Sequence, residues 1–220
     1  IIVEDCIDCV AGKYIDVTGS DQPEDCLDCA SGTYVEVAGS DEASDCIACV
    51  AGKYWVNGTG FEGADGADEE TDCVECAVGK YSTVNGTDTA DDCTDCVAGK
   101  FVNVTGSDEH FDCIDCVAGK YIDVTGSDEA SDCIDCAAGK YVEDAGSTSD
   151  NECIACPSGK YAATEGNDES TDCIDCDLGR YLAGTGSTNA DDCIECSAGK
   201  VDHDENPGTP CEECDYGQYA

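Results

Sequence analysis

One stretch decides the fold: residues 112–128 read DCIDCVAGKYIDVTGSD, and residues 5–21 repeat this stretch letter for letter. Related versions of it fill the rest of the 220-residue chain. All 22 cysteines fall into eleven Cys-x-x-Cys pairs, and successive pairs start 20 residues apart with two exceptions. The pairs start at Cys6, Cys26, Cys46, Cys73, Cys93, Cys113, Cys133, Cys153, Cys173, Cys193 and Cys211. Self-similarity at a fixed period of this length identifies a tandem-repeat protein.

Each repeat reads as a small β-hairpin. A glycine follows the second cysteine of every pair by three residues, and glycine suits a tight turn or a positive φ. An aromatic residue follows two positions later in every repeat except one, which has Val201. The segment from Lys13 to Val17 is rich in β-forming residues, and residues 18–21 have turn-forming side chains. The sequence therefore predicts a small disulfide-rich all-β protein, in which about eleven 20-residue hairpins form a linear array with the shape of an extended rod or solenoid.

The period also divides the chain. We expect residues 1–4 to be the end of a preceding repeat or an N-terminal strand. The remaining divisions are repeats 1–2 (5–44), repeat 3 with a seven-residue insertion (45–71), repeats 4–9 (72–191), a shortened repeat 10 (192–210) and an incomplete repeat 11 (211–220).

Composition indicates the environment and excludes some functions. Cysteine makes up one residue in ten, which is typical of secreted disulfide scaffolds. The formal net charge is −42, so we expect no nucleic acid partner, because phosphate binding needs a basic surface. No apolar run reaches the roughly 20 residues that a membrane helix needs. We therefore predict an extracellular protein, secreted or at the cell surface, without a membrane span in this segment. Neither His110 nor His203 belongs to a recognisable catalytic motif, and we expect no enzymatic activity.

Three chemistries could explain the cysteines. The spacing matches a zinc site, but four-thiolate sites would repeat every 40 residues and an eleventh pair would be left over. A redox Cys-x-x-Cys needs a thioredoxin-like βαβ setting, which is missing here. Structural disulfides remain, and the period requires every repeat to use its cysteines alike.

The simplest periodic disulfide pattern joins the second cysteine of one pair to the first cysteine of the next. Bridges within each pair also satisfy the period, but they close only small loops, whereas a loop of one repeat contributes ~3 kcal/mol. The expected bridges are Cys9–Cys26, Cys29–Cys46, Cys49–Cys73, Cys76–Cys93, Cys96–Cys113, Cys116–Cys133, Cys136–Cys153, Cys156–Cys173, Cys176–Cys193 and Cys196–Cys211.

The motif Cys-Val-Ala-Gly-Lys-Tyr…Asp-Cys-Ile-Asp-Cys resembles the Cys-x-x-Gly-x-Tyr…Cys-x-x-Cys signature of ephrin-receptor-like and tumour-necrosis-factor-receptor-like cysteine-rich repeats. The resemblance covers the whole chain. It implies that the cysteine before Gly-x-Tyr bonds to a cysteine about one hairpin later, in agreement with the pattern above. This sequence departs from those receptors by having only two cysteines per repeat and almost no variation. Near-identical arrays of this kind also resemble large cell-surface and fibre proteins of protists.

Further sites are predicted from local patterns. Three N-glycosylation sequons begin at Asn57, Asn85 and Asn103, all near hairpin tips where N-linked glycans can point outward. An EF-hand-like spacing of Asp202, Asp204, Asn206 and Glu213 hints at calcium, although Pro207 stands where such a loop needs glycine. We expect no required cofactor.

Two cysteines have no partner in the offset pattern, namely Cys6 and Cys214. We expect an inter-subunit disulfide between them, so that copies of the chain associate head to tail. Copies could instead associate laterally. The alternative to self-association is that these repeats belong to a longer array in one polypeptide. The sequence thus predicts a structural subunit of an extracellular filament, fibre or surface rod. The alternative function is the stalk or ectodomain of a cell-surface receptor or adhesin.

Overall fold

A computed structural model describes residues 6–56, 67–201 and 206–215. Within these ranges the chain forms ten hairpins, each made of two short antiparallel strands. Hairpins 1 to 10 span residues 9–28, 29–48, 49–75, 76–95, 96–115, 116–135, 136–155, 156–175, 176–195 and 196–213. The predicted fold class, a small disulfide-rich all-β repeat array, is confirmed.

The strands of each hairpin are shorter than the sequence predicts. The first strand includes the basic residue and the aromatic, and the second includes the two residues between the cysteines of a pair. The strand pairs are Lys13–Tyr14 with Leu27–Asp28, Thr33–Tyr34 with Ile47–Ala48, Lys53–Trp55 with Cys73–Glu75, Lys80–Tyr81 with Thr94–Asp95, Lys100–Phe101 with Ile114–Asp115, Lys120–Tyr121 with Ile134–Asp135, Lys140–Tyr141 with Ile154–Ala155, Lys160–Tyr161 with Ile174–Asp175, Arg180–Tyr181 with Ile194–Glu195, and Lys200–Val201 with Glu212–Glu213.

A turn of 3₁₀-helix precedes the cysteine at the start of the returning strand. Sequence analysis did not predict these turns. They span Pro23–Asp25, Ala43–Asp45, Glu70–Asp72, Ala90–Asp92, His110–Asp112, Ala130–Asp132, Asp150–Glu152, Ser170–Asp172 and Ala190–Asp192.

The array divides into two compact units, residues 1–96 with 102–113 and residues 97–101 with 114–220. In the first unit, Gly79 N–H donates to Val102 O of the following hairpin at 2.8 Å, and Gly106 N–H donates back to Cys76 O at 2.9 Å. In the second unit, Gly119 N–H donates to Val142 O at 2.9 Å, and Gly146 N–H donates back to Cys116 O at 2.8 Å. Consecutive hairpins inside each unit are thus linked through their backbones.

The insertion in hairpin 3 does not disturb this register. Trp55 N–H donates to Thr87 O at 2.9 Å, and Val35 N–H donates to Ala67 O at 3.2 Å. Ala67 takes the place of Ser40 in hairpin 2 and of Thr87 in hairpin 4, and it is buried like them. By sequence, the seven extra residues therefore fall between Trp55 and Ala67, and residues 57–66 lie outside the described ranges.

Candidate functional site: the contact surface between repeats

The structure brings together each of the ten cysteine pairs of the offset pattern. Their Cα–Cα distances run from 5.6 to 5.8 Å, and eight of the ten bridges link residues 17 apart. Each disulfide closes the base of one hairpin. In hairpins 1 to 8, the disulfide partner that ends a Cys-x-x-Cys pair is the more deeply buried one, as at Cys116 and Cys136, both of which are fully buried. The disulfides therefore form the centres of the small cores.

The repeated aromatic residue contacts the next hairpin. Tyr121 of hairpin 6 packs against the Cys136–Cys153 disulfide and Val142 of hairpin 7. Tyr141 and Tyr161 pack in the same way against hairpins 8 and 9. In the first unit, Tyr81 packs against the disulfide of hairpin 5 and Val102. Because each core is completed by a neighbouring side chain, adjacent hairpins stabilise each other.

The glycine of the Cys-x-x-Gly motif contacts the hairpin two positions further along. A Cβ atom placed on Gly139 would lie 2.3 Å from the carbonyl oxygen of Gly186, and one on Gly119 would lie 2.3 Å from that of Gly166. The same approach occurs in the first unit, where Gly52 faces Gly106 at 2.2 Å. These glycines also have a positive φ, +81° at Gly139. Glycine is needed for both reasons, because any side chain would meet the backbone of another hairpin.

The serine of the Thr-Gly-Ser turn is buried in this contact. Ser127 and Ser147 are 6% and 2% exposed. The backbone of Ser147 accepts a hydrogen bond from Ile122 N–H of the preceding hairpin at 3.1 Å. Where asparagine replaces this serine, Asn167 Nδ2 donates to Lys140 O at 3.0 Å. A small or hydrogen-bonded polar residue therefore fits this position.

The basic residues form ion pairs across the hairpin base. In six hairpins the partner is the acid directly opposite on the returning strand, with N–O distances of 2.6 to 3.5 Å. These pairs are Lys13–Asp28, Lys80–Asp95, Lys100–Asp115, Lys120–Asp135, Lys160–Asp175 and Arg180–Glu195. The side chains are about one-third to one-half exposed in most cases, so each pair contributes little to stability.

Two hairpins lack the acid opposite the basic position. In hairpin 2 the basic residue is replaced by Thr33 and the opposite acid by Ala48, so neither charge is present. In hairpin 7 only the acid is replaced, by Ala155, and Lys140 then pairs with Asp150 at 3.0 Å.

The aspartate before the first cysteine has a structural role in six hairpins that sequence analysis missed. Asp92 Oδ2 accepts hydrogen bonds from the N–H groups of Asp88 and Thr89 at 3.2 and 3.0 Å. The same arrangement recurs at Asp45, Asp72, Asp112, Asp132 and Asp172. The hydrogen bonds from the Thr89 backbone and side chain hold the pKa of Asp92 below its usual value. The signal was the regular acid immediately before these cysteines.

Two of the three sequon asparagines, Asn85 and Asn103, lie in the described ranges and are exposed at hairpin tips. Asn85 Oδ1 accepts a hydrogen bond from Ala51 N–H at 2.8 Å, which occupies the oxygen and not the nitrogen that carries an N-glycan. Asn57 lies outside the described residues. Both described sites are therefore open to glycans without loss of a core contact.

The candidate calcium ligands are only partly placed. Asp202 and Asp204 lie outside the described residues. Asn206 Oδ1 accepts a hydrogen bond from Gly208 N–H at 3.0 Å, and Glu213 is exposed on a strand opposite Lys200. In the described part of the chain, no group of three or more His, Cys, Asp or Glu side chains is arranged to hold a metal ion. Calcium binding at this segment stays a prediction.

The two cysteines outside the offset pattern remain as thiols. Cys6 is exposed and Cys214 is half-buried. Among the described residues, no helix is long and apolar enough to cross a membrane.

The geometry defines a class of protein: an array of one-disulfide hairpins that complete each other's cores. Residues 146–193 match the family model described as "Tyrosine-protein kinase ephrin type A/B receptor-like". The match covers hairpin 8 and parts of hairpins 7 and 9, and the other hairpins share their strand register and disulfide pattern. The predicted resemblance to ephrin-receptor-like cysteine-rich repeats is therefore confirmed. No curated protein in the comparison matches the chain.

Proposed function

We propose that the chain is a structural subunit of an extracellular filament, fibre or surface rod, and that it has no enzymatic activity. The main support is the near-identity of the hairpins together with the use of their conserved side chains in contacts between hairpins. Tyr121 covers a neighbouring disulfide, and Gly119 and Ser147 fit neighbouring backbone. Most of the repeated residues thus serve the array itself, as expected for a building element.

The exposed surface supports the same function. The valine before the Thr-Gly turn is exposed in hairpins 1, 5 and 6 at Val17, Val104 and Val124. Ligand-binding modules in a tandem array usually differ from one to the next, whereas hairpins 1, 5 and 6 have the same Val-Thr-Gly-Ser-Asp tip. A repeated exposed surface suits repeated contacts with identical neighbours.

Electron microscopy of native material and of the purified chain tests the proposal. We expect filaments or fibres whose mass is dominated by this chain. Isolated particles in native material, with no fibrous assembly under oxidising conditions, would overturn the structural role.

The second candidate function is the stalk or ectodomain of a cell-surface receptor or adhesin. The family match to receptor-type repeats at residues 146–193 favours it. Extraction of native cells distinguishes the two: an ectodomain is released only by detergent or protease, whereas a fibre sediments intact without detergent. The disulfide-rich repeats are consistent with an extracellular or cell-surface location in either case.

We further propose that the native protein has N-linked glycans and requires no cofactor.

The high acidic charge keeps copies apart at low ionic strength, and salt shortens the range of this repulsion to about 10 Å at 0.1 M. Calcium bound at the predicted 202–213 segment would also reduce the repulsion between copies. Calorimetric titration of the purified chain with calcium chloride would measure this binding. Absence of a saturable signal would exclude that site.

A further inference from the structure

The hydroxyl of the sequon at residues 85–87 is buried against the preceding hairpin. Thr87, the third residue of this sequon, is 8% exposed. Its Oγ1 donates a hydrogen bond to Lys53 O at 2.6 Å, and its backbone oxygen accepts one from Trp55 N–H at 2.9 Å. The hydroxyl is therefore held inside the contact between hairpins 3 and 4, both of which belong to the first unit.

The other two residues of this sequon dock on the same hairpin. Gly86 N–H donates to Cys49 O at 2.7 Å, and Ala51 N–H donates to the side-chain oxygen of Asn85 at 2.8 Å. An N-glycan is bonded to the side-chain nitrogen of asparagine, so it leaves this oxygen able to accept the same hydrogen bond. A hairpin that already has a glycan on Asn85 can therefore dock in the same way.

The sequon at residues 103–105 is presented to solvent instead. Asn103 and Thr105 are exposed, and Val104 between them is 56% exposed. The Thr105 hydroxyl donates a hydrogen bond to the carboxylate of Glu75, which is itself exposed. Water replaces a hydrogen bond between two exposed side chains at little cost, so this hydroxyl is accessible in the folded hairpin.

An offset of two residues along the hairpin explains the difference between these sequons. Asn85 occupies the tip position that Thr105 has in hairpin 5. Thr87 occupies the position of Ser107, which is 5% exposed. The 85–87 sequon therefore ends in the contact between hairpins, whereas the 103–105 sequon ends before it.

Attachment of an N-glycan requires both ends of the sequon. The enzyme accepts Asn-x-Ser/Thr and not asparagine alone, so it has to bind the hydroxyl at the third position as well as the amide. We propose that Asn85 receives its glycan only before hairpin 4 docks on hairpin 3, whereas Asn103 is still an acceptor in the folded array. This inference rests on the proposed N-glycosylation and adds the order in which glycosylation and folding occur.

The same bonds change at both sites. The donor is a lipid-linked diphosphate oligosaccharide. The bond between its first sugar carbon and the diphosphate oxygen breaks, a bond from that carbon to the asparagine Nδ2 forms, and Nδ2 loses one proton to solvent. The lipid diphosphate leaves with the electron pair of the broken bond.

Glycan transfer to the full 220-residue chain in two states tests this order. The unglycosylated chain is incubated with a solubilised oligosaccharyltransferase and its lipid-linked donor, either with its disulfides intact or after reduction and alkylation. Peptide mass spectrometry measures the initial rates at Asn85 and Asn103, and the reduced chain corrects for intrinsic differences between the two sequons. We expect the ratio of the Asn85 rate to the Asn103 rate to be about tenfold or more lower in the folded chain, because a buried sequon is reached only through local opening.

Two double variants exchange the tip sequences of hairpins 4 and 5. Thr83→Asn with Asn85→Thr moves the hairpin 4 sequon to the exposed position, and the folded chain should then accept a glycan at position 83 at a rate close to that of Asn103. Asn103→Thr with Thr105→Asn makes the hairpin 5 sequon end at the buried Ser107, and transfer to the folded chain should fall to the level of the wild-type hairpin 4 sequon. Each variant uses residues that the other hairpin already has at these positions, so both should fold.

The outcomes separate the order of events from the glycosylation itself. Equal corrected rates at Asn85 and Asn103 in the folded chain would overturn the proposed order and leave N-glycosylation in place. Poor transfer to position 83 in the folded hairpin 4 variant, with the Cys76–Cys93 bridge recovered by peptide mapping, would also overturn the order, since the position of the hydroxyl would not be the cause. No transfer to either asparagine of the reduced wild-type chain would overturn both proposals.

Discussion

Replacement of Gly139 by alanine tests the contact between hairpins two positions apart. The new Cβ atom would lie 2.3 Å from Gly186 O and 2.8 Å from Gly186 C. Ordinary contact begins near 3.4 Å, so the two backbones have to separate by about 1.1 Å at this point. Both glycines also donate hydrogen bonds at 2.8 Å, Gly139 to Ala162 O and Gly186 to Cys156 O, and the separation strains these bonds.

Two effects add in this substitution. A non-glycine residue at a φ of +81° costs about 1–2 kcal/mol. Forcing an extra methyl group into a packed contact costs typically about 1–3 kcal/mol more. We therefore expect Gly139→Ala to lower the local free energy of unfolding by about 2–5 kcal/mol.

Two controls separate these effects. Gly179 has a φ of +80° and no atom within 4 Å of its Cβ position, so Gly179→Ala should lower the local stability by only the conformational cost, about 1–2 kcal/mol. Gly184 lies in open space and is not among the positive-φ glycines, so Gly184→Ala should be close to neutral.

Hydrogen exchange measured by mass spectrometry suits this test, because an array of repeats does not unfold in one step. The protection of peptides covering Gly139 and Gly186 should fall together in Gly139→Ala. In Gly179→Ala the loss should stay local to hairpin 9. Equal losses of protection in the two variants would refute the close contact between hairpins 7 and 9.

Further predictions concern the disulfides, ion pairs, acid sensitivity and glycans. Non-reducing peptide mapping should recover Cys116–Cys133, whereas an intact bridge between the two cysteines of one pair would refute the offset pattern. A double-mutant cycle on Lys120 and Asp135 should give a coupling free energy of ~0.2–1 kcal/mol, because both side chains are partly exposed. A larger value would show that this ion pair is shielded from solvent. Because the pKa of Asp92 is lowered in the folded state, its contribution to stability is present above the unfolded-state pKa and is lost as the pH falls through the folded-state pKa. Asp92→Asn should therefore reduce the loss of hydrogen-exchange protection that hairpin 4 shows as the pH is lowered. The same loss in the variant and in the wild type would contradict this. Treatment of native protein with an N-glycan amidase should lower its mass, and an unchanged mass would refute occupancy of Asn57, Asn85 and Asn103.

The hairpin period and the offset disulfides were accessible from sequence because they depend on spacing along the chain. A 20-residue repeat forces equivalent cysteines into equivalent roles, and few patterns satisfy that condition. The 3₁₀ turn was less accessible, because its stabilising group is a single acid such as Asp92 in a chain crowded with acids. The structure shows the role of that acid, because its carboxylate accepts hydrogen bonds from two backbone N–H groups.

Contacts between hairpins could not be derived from the repeat alone. The sequence shows that a glycine equivalent to Gly139 recurs in every repeat. A tight turn explains this recurrence as well as a contact between hairpins does. The approach to Gly186, 47 residues away, is a property of the stacking of hairpins within the unit. Burial of Ser147 has the same origin, since the backbone of the preceding hairpin covers it.

These contacts explain which changes the array tolerates. Hairpin 3 accepts seven extra residues because Trp55 and Ala67 still make the backbone bonds that link hairpins on either side of the insertion. Hairpin 2 accepts the loss of both charges because Thr33 and Ala48 leave no unpaired ion behind. By contrast, the glycine of the Cys-x-x-Gly motif is present in all eleven repeats, including those with an altered aromatic or basic residue. A tip can lengthen and an ion pair can be removed without moving a neighbour, whereas a side chain in the glycine contact would push two hairpins apart. The Cys-x-x-Gly glycine is therefore a contact residue that does not vary, whereas the buried apolar residue at the position of Ile122 becomes Ala162 and Leu182 in other hairpins.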